Sequence, residues 1–343
     1  MAAELAALAA SDAVPGRVIA AHGGACTVAF ERGHVSACPA GKLRHDEPAG
    51  GQLPAAGDWV ALDTGPEGPT GAILAILPRA SKLSRKVAGT VTAEQVVAAN
   101  VDTVLVVAGL DGDFNLRRLE RMLVAAWDSG ARPVILLNKA DCCPEVDERL
   151  AEAQACAPGV PVHALSCLAG CGFEALAPYL SPGQTLALLG SSGVGKSTLI
   201  NHLVGREMLD TGEVREDDSR GRHTTTHREM FPLPGGAWII DNPGVRELQL
   251  WDGVEGLALT FPDVEALAAG CRFRDCSHQH EPGCSVREAV ETGELTQGRL
   301  ASYRKLQREV NFQARRHDVR ARLQEKRRWR AISRWSRELQ KDR

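Results

Sequence analysis

The chain has 343 residues, 44% of them hydrophobic and 24% charged, with a net charge of −3. That length leaves room for two or three domains, because single cores stop growing near about 250–300 residues. No apolar run approaches the roughly 18–20 residues needed to cross a bilayer, and the hydrophobic fraction is that of an ordinary globular protein.

The charge is unevenly placed. From Arg299 to Arg343 there are 16 Lys and Arg against 5 Asp and Glu, a surplus of +11 that leaves −14 on the rest. An acidic body with a basic end points to a polyanionic partner touched at that end, or to a solvated charged helix. The ten cysteines are thinly spread apart from Cys271, Cys276 and Cys284, which fits a reducing, cytoplasmic setting better than a disulfide framework. Cys142 and Cys143 read as unpaired thiols.

In chain order, residues 1–13 form an Ala-rich N-terminal tail without Lys or Arg, unlike a secretory signal. Residues 14–80 carry short β patterns, Arg17–Ala20, Thr27–Phe30, Asp58–Leu62 and Ala72–Leu77, separated by turns such as Gly23-Gly24 and Thr64–Pro66. This texture predicts a small β-barrel, an OB-fold first and an SH3-like barrel as the alternative. From 81 to 255 the period changes. Val101–Val107 suits a buried parallel strand and Asn115–Trp127 a helix with Leu116, Leu119, Leu123 and Ala126 on one face. Further strands are expected at Val134–Leu137, Pro161–Leu165, Thr185–Leu189 and Trp238–Ile240. Such alternation predicts a doubly wound α/β sheet with ligand loops at the carboxyl ends of its strands. Residues 256–314 place the cysteine cluster before an amphipathic stretch with Leu300, Tyr303, Leu306 and Val310, a mostly α zinc-binding domain. Residues 315–343 form a basic helical arm whose Trp329, Ile332, Trp335 and Leu339 either pack on the body or meet a partner.

Two motifs stand in reversed order. Asn138-Lys139-Ala140-Asp141 precedes Gly190-Ser191-Ser192-Gly193-Val194-Gly195-Lys196-Ser197, whereas an ordinary GTPase has the phosphate loop first. The expected architecture is therefore a central P-loop GTPase domain with circularly permuted motifs. Asp141 offers a carboxylate to the N1 and N2 donors of guanine, and Asn138 can hydrogen-bond the base edge and brace the phosphate loop. The stem of Lys139 covers the ring, and the backbone at Ser166-Cys167 would read O6. At the other end, backbone amides up to Ser197 and Thr198 cradle phosphates, and Lys196 neutralises the β- and γ-phosphates. Ser197 binds Mg²⁺, Asp241 holds it through water, and Gly244 donates to the γ-phosphate.

Between these lies Gly221-Arg222-His223-Thr224-Thr225-Thr226, in which Thr225 would complete the Mg²⁺ shell and order with GTP. Val245 occupies the position of the usual water-orienting Gln, so unassisted turnover should be slow, on the order of 10⁻⁴ to 10⁻² per second. His223 is the nearest polar candidate for that role. Cys271, Cys276, His278 and Cys284 supply three thiolates and one imidazole, the donor set of a closed structural zinc site, with His280 as the substitute for His278.

Taken together, Gln95–Asp102, Phe114–Arg121, Asn138–Asp141, Gly190–Ser197, Gly221–Thr226, Asp241–Leu248 and Cys271–Cys284 resemble the ribosome small-subunit-dependent GTPase A family of circularly permuted biogenesis GTPases. The resemblance spans about residues 14–312. It implies an OB-fold, a permuted G domain and a zinc domain that contact the 30S subunit and its 16S rRNA. It also implies GTP hydrolysis stimulated by that subunit during late maturation, by a protein that nothing argues against being a monomer. Asn242 and Cys167 depart from the residues usual in the family. Rival readings are an RNA-binding scaffold with negligible turnover and a P-loop NTPase of another pathway. In the leading reading, the permutation ties the D-x-P-G switch directly to the zinc domain through Val245–Gly256.

Overall fold

The computed structural model describes residues 13–22, 24–41, 43, 53–65, 70–86, 94–112, 114–209, 228–241 and 253–312. The arm 315–343, the stretch holding His223 and Thr225, and Asn242, Gly244 and Val245 lie outside these residues.

Five strands make the barrel: β1 (Val14–His22), β2 (Ala25–Phe30), β3 (Gly33–Pro39), β4 (Trp59–Asp63) and β5 (Thr70–Ile76). They pair in the order β1-β2-β3-β5-β4 and close through β4 onto β1, with β3 and β5 parallel. That is the OB-fold arrangement. Alternation sends Val18, Val28, Val35, Ala37, Val60, Leu62 and Ile73 inward to one core, while His34 and Ser36 face out. A polar, glycine-led sequence hides β3 from a composition reading. At Gly16 a Cβ would lie 2.5 Å from Val28 Cγ1, so glycine there permits the close crossing of β1 and β2.

A hairpin of β6 (Lys82–Lys86) and β7 (Glu94–Ala99) leads into the second half of the molecule. Here β8 (Thr103–Gly109), β9 (Arg132–Asn138), β10 (Val162–Ala164), β11 (Thr185–Gly190), β12 (Arg228–Pro232) and β13 (Trp238–Asp241) pair in the order β10-β9-β8-β11-β13-β12. All neighbours are parallel except β12 against β13. The continuous apolar runs of β8 and β11 are buried along their whole length, as strands covered on both faces must be. β1 also pairs with β12, so barrel and central sheet form one eleven-stranded surface. Arg17 reinforces that junction by donating to Thr185 Oγ1 at 2.7 Å and lying over the Trp59 ring.

Helix α1 (Leu116–Asp128) begins where Asn115 caps it, accepting the Arg118 N–H at 3.1 Å. With α2 (Val146–Cys156) it covers one face of the sheet, and α3 (Lys196–Val204) follows β11. The C-terminal lobe contains α4 (Val254–Thr260), α5 (Pro262–Ala268), the cysteine loop, α6 (Ser285–Thr292) and a last helix, α7, over 297–312. Leu300, Tyr303, Leu306 and Val310 are buried, as their helical spacing requires. The lobe shares a core with α1 and β8 rather than having one of its own. Gly256 lies so close to α1 that a Cβ would approach Val124 O to 2.2 Å. Arg299, 8% exposed, binds Glu120 Oε1 at 2.8 Å and both Asp263 oxygens, at 2.9 and 3.0 Å. It also donates to the carbonyls of Cys156 and Thr260, each at 2.8 Å. Breaking a buried, multiply bonded ion pair of this kind costs about 3–5 kcal/mol.

Candidate functional site: a nucleotide pocket and a thiolate–imidazole cluster

The carboxyl ends of β8, β9, β11 and β13 converge on one rim. β11 lies between β8 and β13, so its phosphate loop meets the Asn138 loop in space although the two are reversed in sequence. Asn138 joins them. Only 2% exposed, it donates from Nδ2 to Val194 O at 2.7 Å and accepts the Cys167 N–H on Oδ1 at 3.0 Å. One side chain thus holds the base loop, the phosphate loop and the Ser166 turn in register. Of the Ser166-Cys167 backbone expected to read guanine O6, the Cys167 N–H donates to Asn138 and the Ser166 N–H to Cys171 O at 3.1 Å.

Asp141 is exposed in the short 3₁₀ turn Ala140–Cys142. Ser166 Oγ donates to its Oδ1, and Cys142 Sγ lies 3.3 Å from Oδ2. The Ser166 hydrogen bond, with that of Cys142 behind it, lowers the Asp141 pKa and keeps the carboxylate ionised. Lys139 takes a left-handed backbone, φ 65°, and pairs with Asp111 at the end of β8. That pairing holds the lysine stem across the pocket. Burial pushes the Cys167 thiol up to about 12, so it sits beside the base loop as an inert neutral group.

In the phosphate loop, Gly193 and Gly195 have φ of 81° and 95°. At Gly195 a Cβ would lie 2.2 Å from Asn138 Nδ2, and at Gly190 one would lie 2.6 Å from Val107 O. Glycine is therefore required twice, for conformation and for approach. Lys196 Nζ donates to the carbonyls of Gly190 and Ser191 at 2.8 and 2.5 Å, so its charge sits over the loop it opens. Ser197 and Thr198 are half-buried in the first turn of α3, and Asp241, buried, ends β13. Arg118 Nη1 donates to Ser191 Oγ at 2.8 Å. Composition gave no reason to single out Arg118 or Asp111, since their distance in sequence from the loop hides them. The Cβ-excluding cradle, the ionised carboxylate and the cation over the loop suit a guanine nucleotide with its divalent cation.

The cysteine loop brings Cys271, Cys276, His278 and Cys284 together, with all four ligand atoms within 4.8 Å of one another. Cys271 Sγ and Cys284 Sγ are 3.9 Å apart, and each lies 3.6 or 3.5 Å from His278 Nδ1. A tetrahedral zinc with ordinary bond lengths has edges of about 3.8 Å between sulfurs and about 3.6 Å from sulfur to nitrogen, and the Cys271, Cys284 and His278 edges match these. His278 is 3% exposed with φ 57°, and burial lowers its pKa, favouring the neutral imidazole that binds metal. Glu281 shapes the turn, accepting the N–H groups of Ser277, Gln279 and His280 at 3.0, 2.9 and 3.0 Å. His280 is exposed and lies outside the four-residue cluster, whereas His278 is buried within it.

A P-loop GTPase with circularly permuted motifs is the class that this sheet order and this pocket define. A family model described as RsgA GTPase matches residues 76–251. The small ribosomal subunit biogenesis GTPase RsgA of Opitutus terrae is 50% identical over 334 residues, covering 94% of this chain and 91% of its own. Its counterpart from Syntrophotalea carbinolica is 46% identical over 339 residues, covering 95% and 93%. The crystal structure of YjeQ from Thermotoga maritima superposes with a TM-score of 0.64 at 28% identity, over 87% of this chain and 98% of that one. YloQ, described as a circularly permuted GTPase, gives 0.61 at 26% identity over 88% and 96%. The chain belongs to the RsgA GTPase family.

Proposed function

We propose that this GTPase acts in late maturation of the 30S ribosomal subunit. It binds the subunit in its GTP form, hydrolyses GTP when the subunit stimulates it, and is then released. The observation that carries the nucleotide half of this reading is Asn138, whose one side chain joins the guanine loop to the phosphate loop. The relatives' description as small ribosomal subunit biogenesis GTPases supports the other half.

In this reading Asp141 pairs with N1 and N2 of guanine while Lys139 covers the ring. Asn138 and the Ser166-Cys167 turn frame the base edge. The amides from Gly190 to Thr198 hold the phosphates, and Lys196 stabilises charge as it spreads over the γ-phosphoryl oxygens. Ser197, Thr225 and Asp241 would hold Mg²⁺, which would neutralise phosphate charge when bound. Gly244 donates to the γ-phosphate, and His223 orients the attacking water. Cys271, Cys276, His278 and Cys284 hold one structural zinc. The barrel, 14–80, grips 16S rRNA by backbone and stacking contacts, and the arm, 315–343, adds salt-dependent affinity. The G domain spans 81–255 and the zinc domain 256–314. The protein works as a cytoplasmic monomer.

Multiple-turnover GTP hydrolysis of the full chain, with and without purified 30S subunits, tests this. Stimulation by at least about tenfold is expected, well within the range that activating partners supply. An unchanged rate sinks the reading and favours the RNA-binding scaffold. Deleting 315–343 should flatten the salt dependence of rRNA binding; an unaltered slope removes the arm from the account.

A further inference from the structure

Helix α1 touches the phosphate loop at its first turn and the C-terminal lobe along the rest of its length. At the tip, Arg118 Nη1 holds Ser191 Oγ at 2.8 Å, and the Asn115 cap fixes the backbone of the same turn. One residue pair further on, Glu120 is buried beneath Arg299 and Ser302 of α7. Arg121 makes paired bonds of 2.7 and 2.6 Å to Glu309 of α7, and the Val124 carbonyl faces Gly256 of α4. The first turn of α1 carries no acidic residue and has Arg117 and Arg118 instead, a placement the helix macrodipole disfavours. A local rule broken at the mouth of a phosphate site points to a role for the cation there.

We propose that α1 is a strut through which the C-terminal lobe sets the phosphate loop, with Arg118 as the positioning residue at its tip. A helix is stiff along its axis and the lobe packs on it through a buried ion network, so movement of the lobe carries α1 with it. Arg118 passes that movement to Ser191, next to the amides that cradle the phosphates. This route differs from the covalent tether Val245–Gly256 and does not depend on it. It rests on the proposed stimulation by the small subunit and says where the stimulus enters.

The test uses the full chain, mant-GDP dissociation, and GTP turnover with and without purified 30S subunits. Arg118→Ala and Ser191→Ala should each raise the mant-GDP off-rate and lower stimulated turnover by about tenfold, as small misplacements at a reacting centre do. The double variant should be no worse than Arg118→Ala alone, because the Arg118–Ser191 bond is already lost in each single variant. Glu309→Gln, remote from the pocket, should leave unstimulated turnover within about twofold and cut the stimulation about fivefold. Arg121→Glu combined with Glu309→Arg should restore it, which a folding defect would not. Additive effects at Arg118 and Ser191, or full stimulation of Glu309→Gln, overturn the strut. Absence of stimulation in the unaltered protein overturns the proposed function instead, and the off-rates then still decide the role of Arg118.

Discussion

At the guanine end of the pocket, Asp141 is exposed and its carboxylate is held by a hydroxyl and a thiol from its own loops. In the cysteine loop, His278 and Cys284 are buried and four ligand atoms lie within 4.8 Å of one another. Both sites are loops that a helix or strand delivers, but they are finished differently. An exchangeable ligand needs groups that are oriented yet open to water, so that leaving costs little. A structural metal needs the reverse, and a lobe that shares its core with α1 has few other means of fixing that loop.

The largest effect expected from this contrast is at the cage. Structural zinc contributes apparent binding energies of about 10–16 kcal/mol in small zinc modules, so Cys284→Ser or exhaustive chelation should unfold the cysteine loop. Hydrogen exchange should show lost protection in α6 and α7 while β8–β11 stay protected and mant-GDP still binds. If the lobe kept its protection without metal, the two sites would not differ as described.

Next comes Gly195→Ala, which adds a Cβ 2.2 Å from Asn138 Nδ2 at a backbone with φ +95°. It strikes the contact joining base loop to phosphate loop, and a GDP affinity loss on the order of 10²-fold is expected, given the sensitivity of phosphate sites to displacement. Calorimetry that found normal affinity would show the interlock to be dispensable.

Asp141→Asn removes a charge-assisted bond, worth about 1.5–3 kcal/mol, or roughly 10–150-fold in GTP affinity. Xanthosine triphosphate should gain where GTP loses, because its N2-side carbonyl accepts from the new amide. Equal losses for both nucleotides would show that Asp141 does not read the base.

The smallest effect concerns pH. Ser166 lowers the Asp141 pKa, so the ionised, guanine-binding form survives to lower pH than an ordinary aspartate would allow. Ser166→Ala raises that pKa, and the acid limb of GTP binding should move to higher pH with the neutral plateau little changed. A limb that stays in place would mean that another group controls it.

Much of the molecule was legible before its structure. The apolar runs that became β8, β9 and β11 suited buried strands, and β9 and β11 each placed a nucleotide motif at a carboxyl end. The strands β3 and β12 and the hairpin β6–β7 were missed, because their polar or short sequences are strands only through the neighbours they pair with. Spacing favours His278 as the fourth ligand and leaves His280 as the substitute. The left-handed backbone at His278 turned one ring inward and left the other outside.

The sequence by itself determined the chemistry of this protein: the two loop motifs, their reversed order, the four metal-type ligands and the class of sheet that would carry them. Those are matters of residue type and short-range period, which a chain carries wherever it folds. Tertiary structure alone decided that β1 continues the central sheet and that the C-terminal lobe is fastened to α1 by Arg299. Each of these joins groups far apart in sequence, 168 residues for Arg17 to Thr185 at the β1 junction and 179 for Arg299 to Glu120, and no local pattern encodes which distant groups meet.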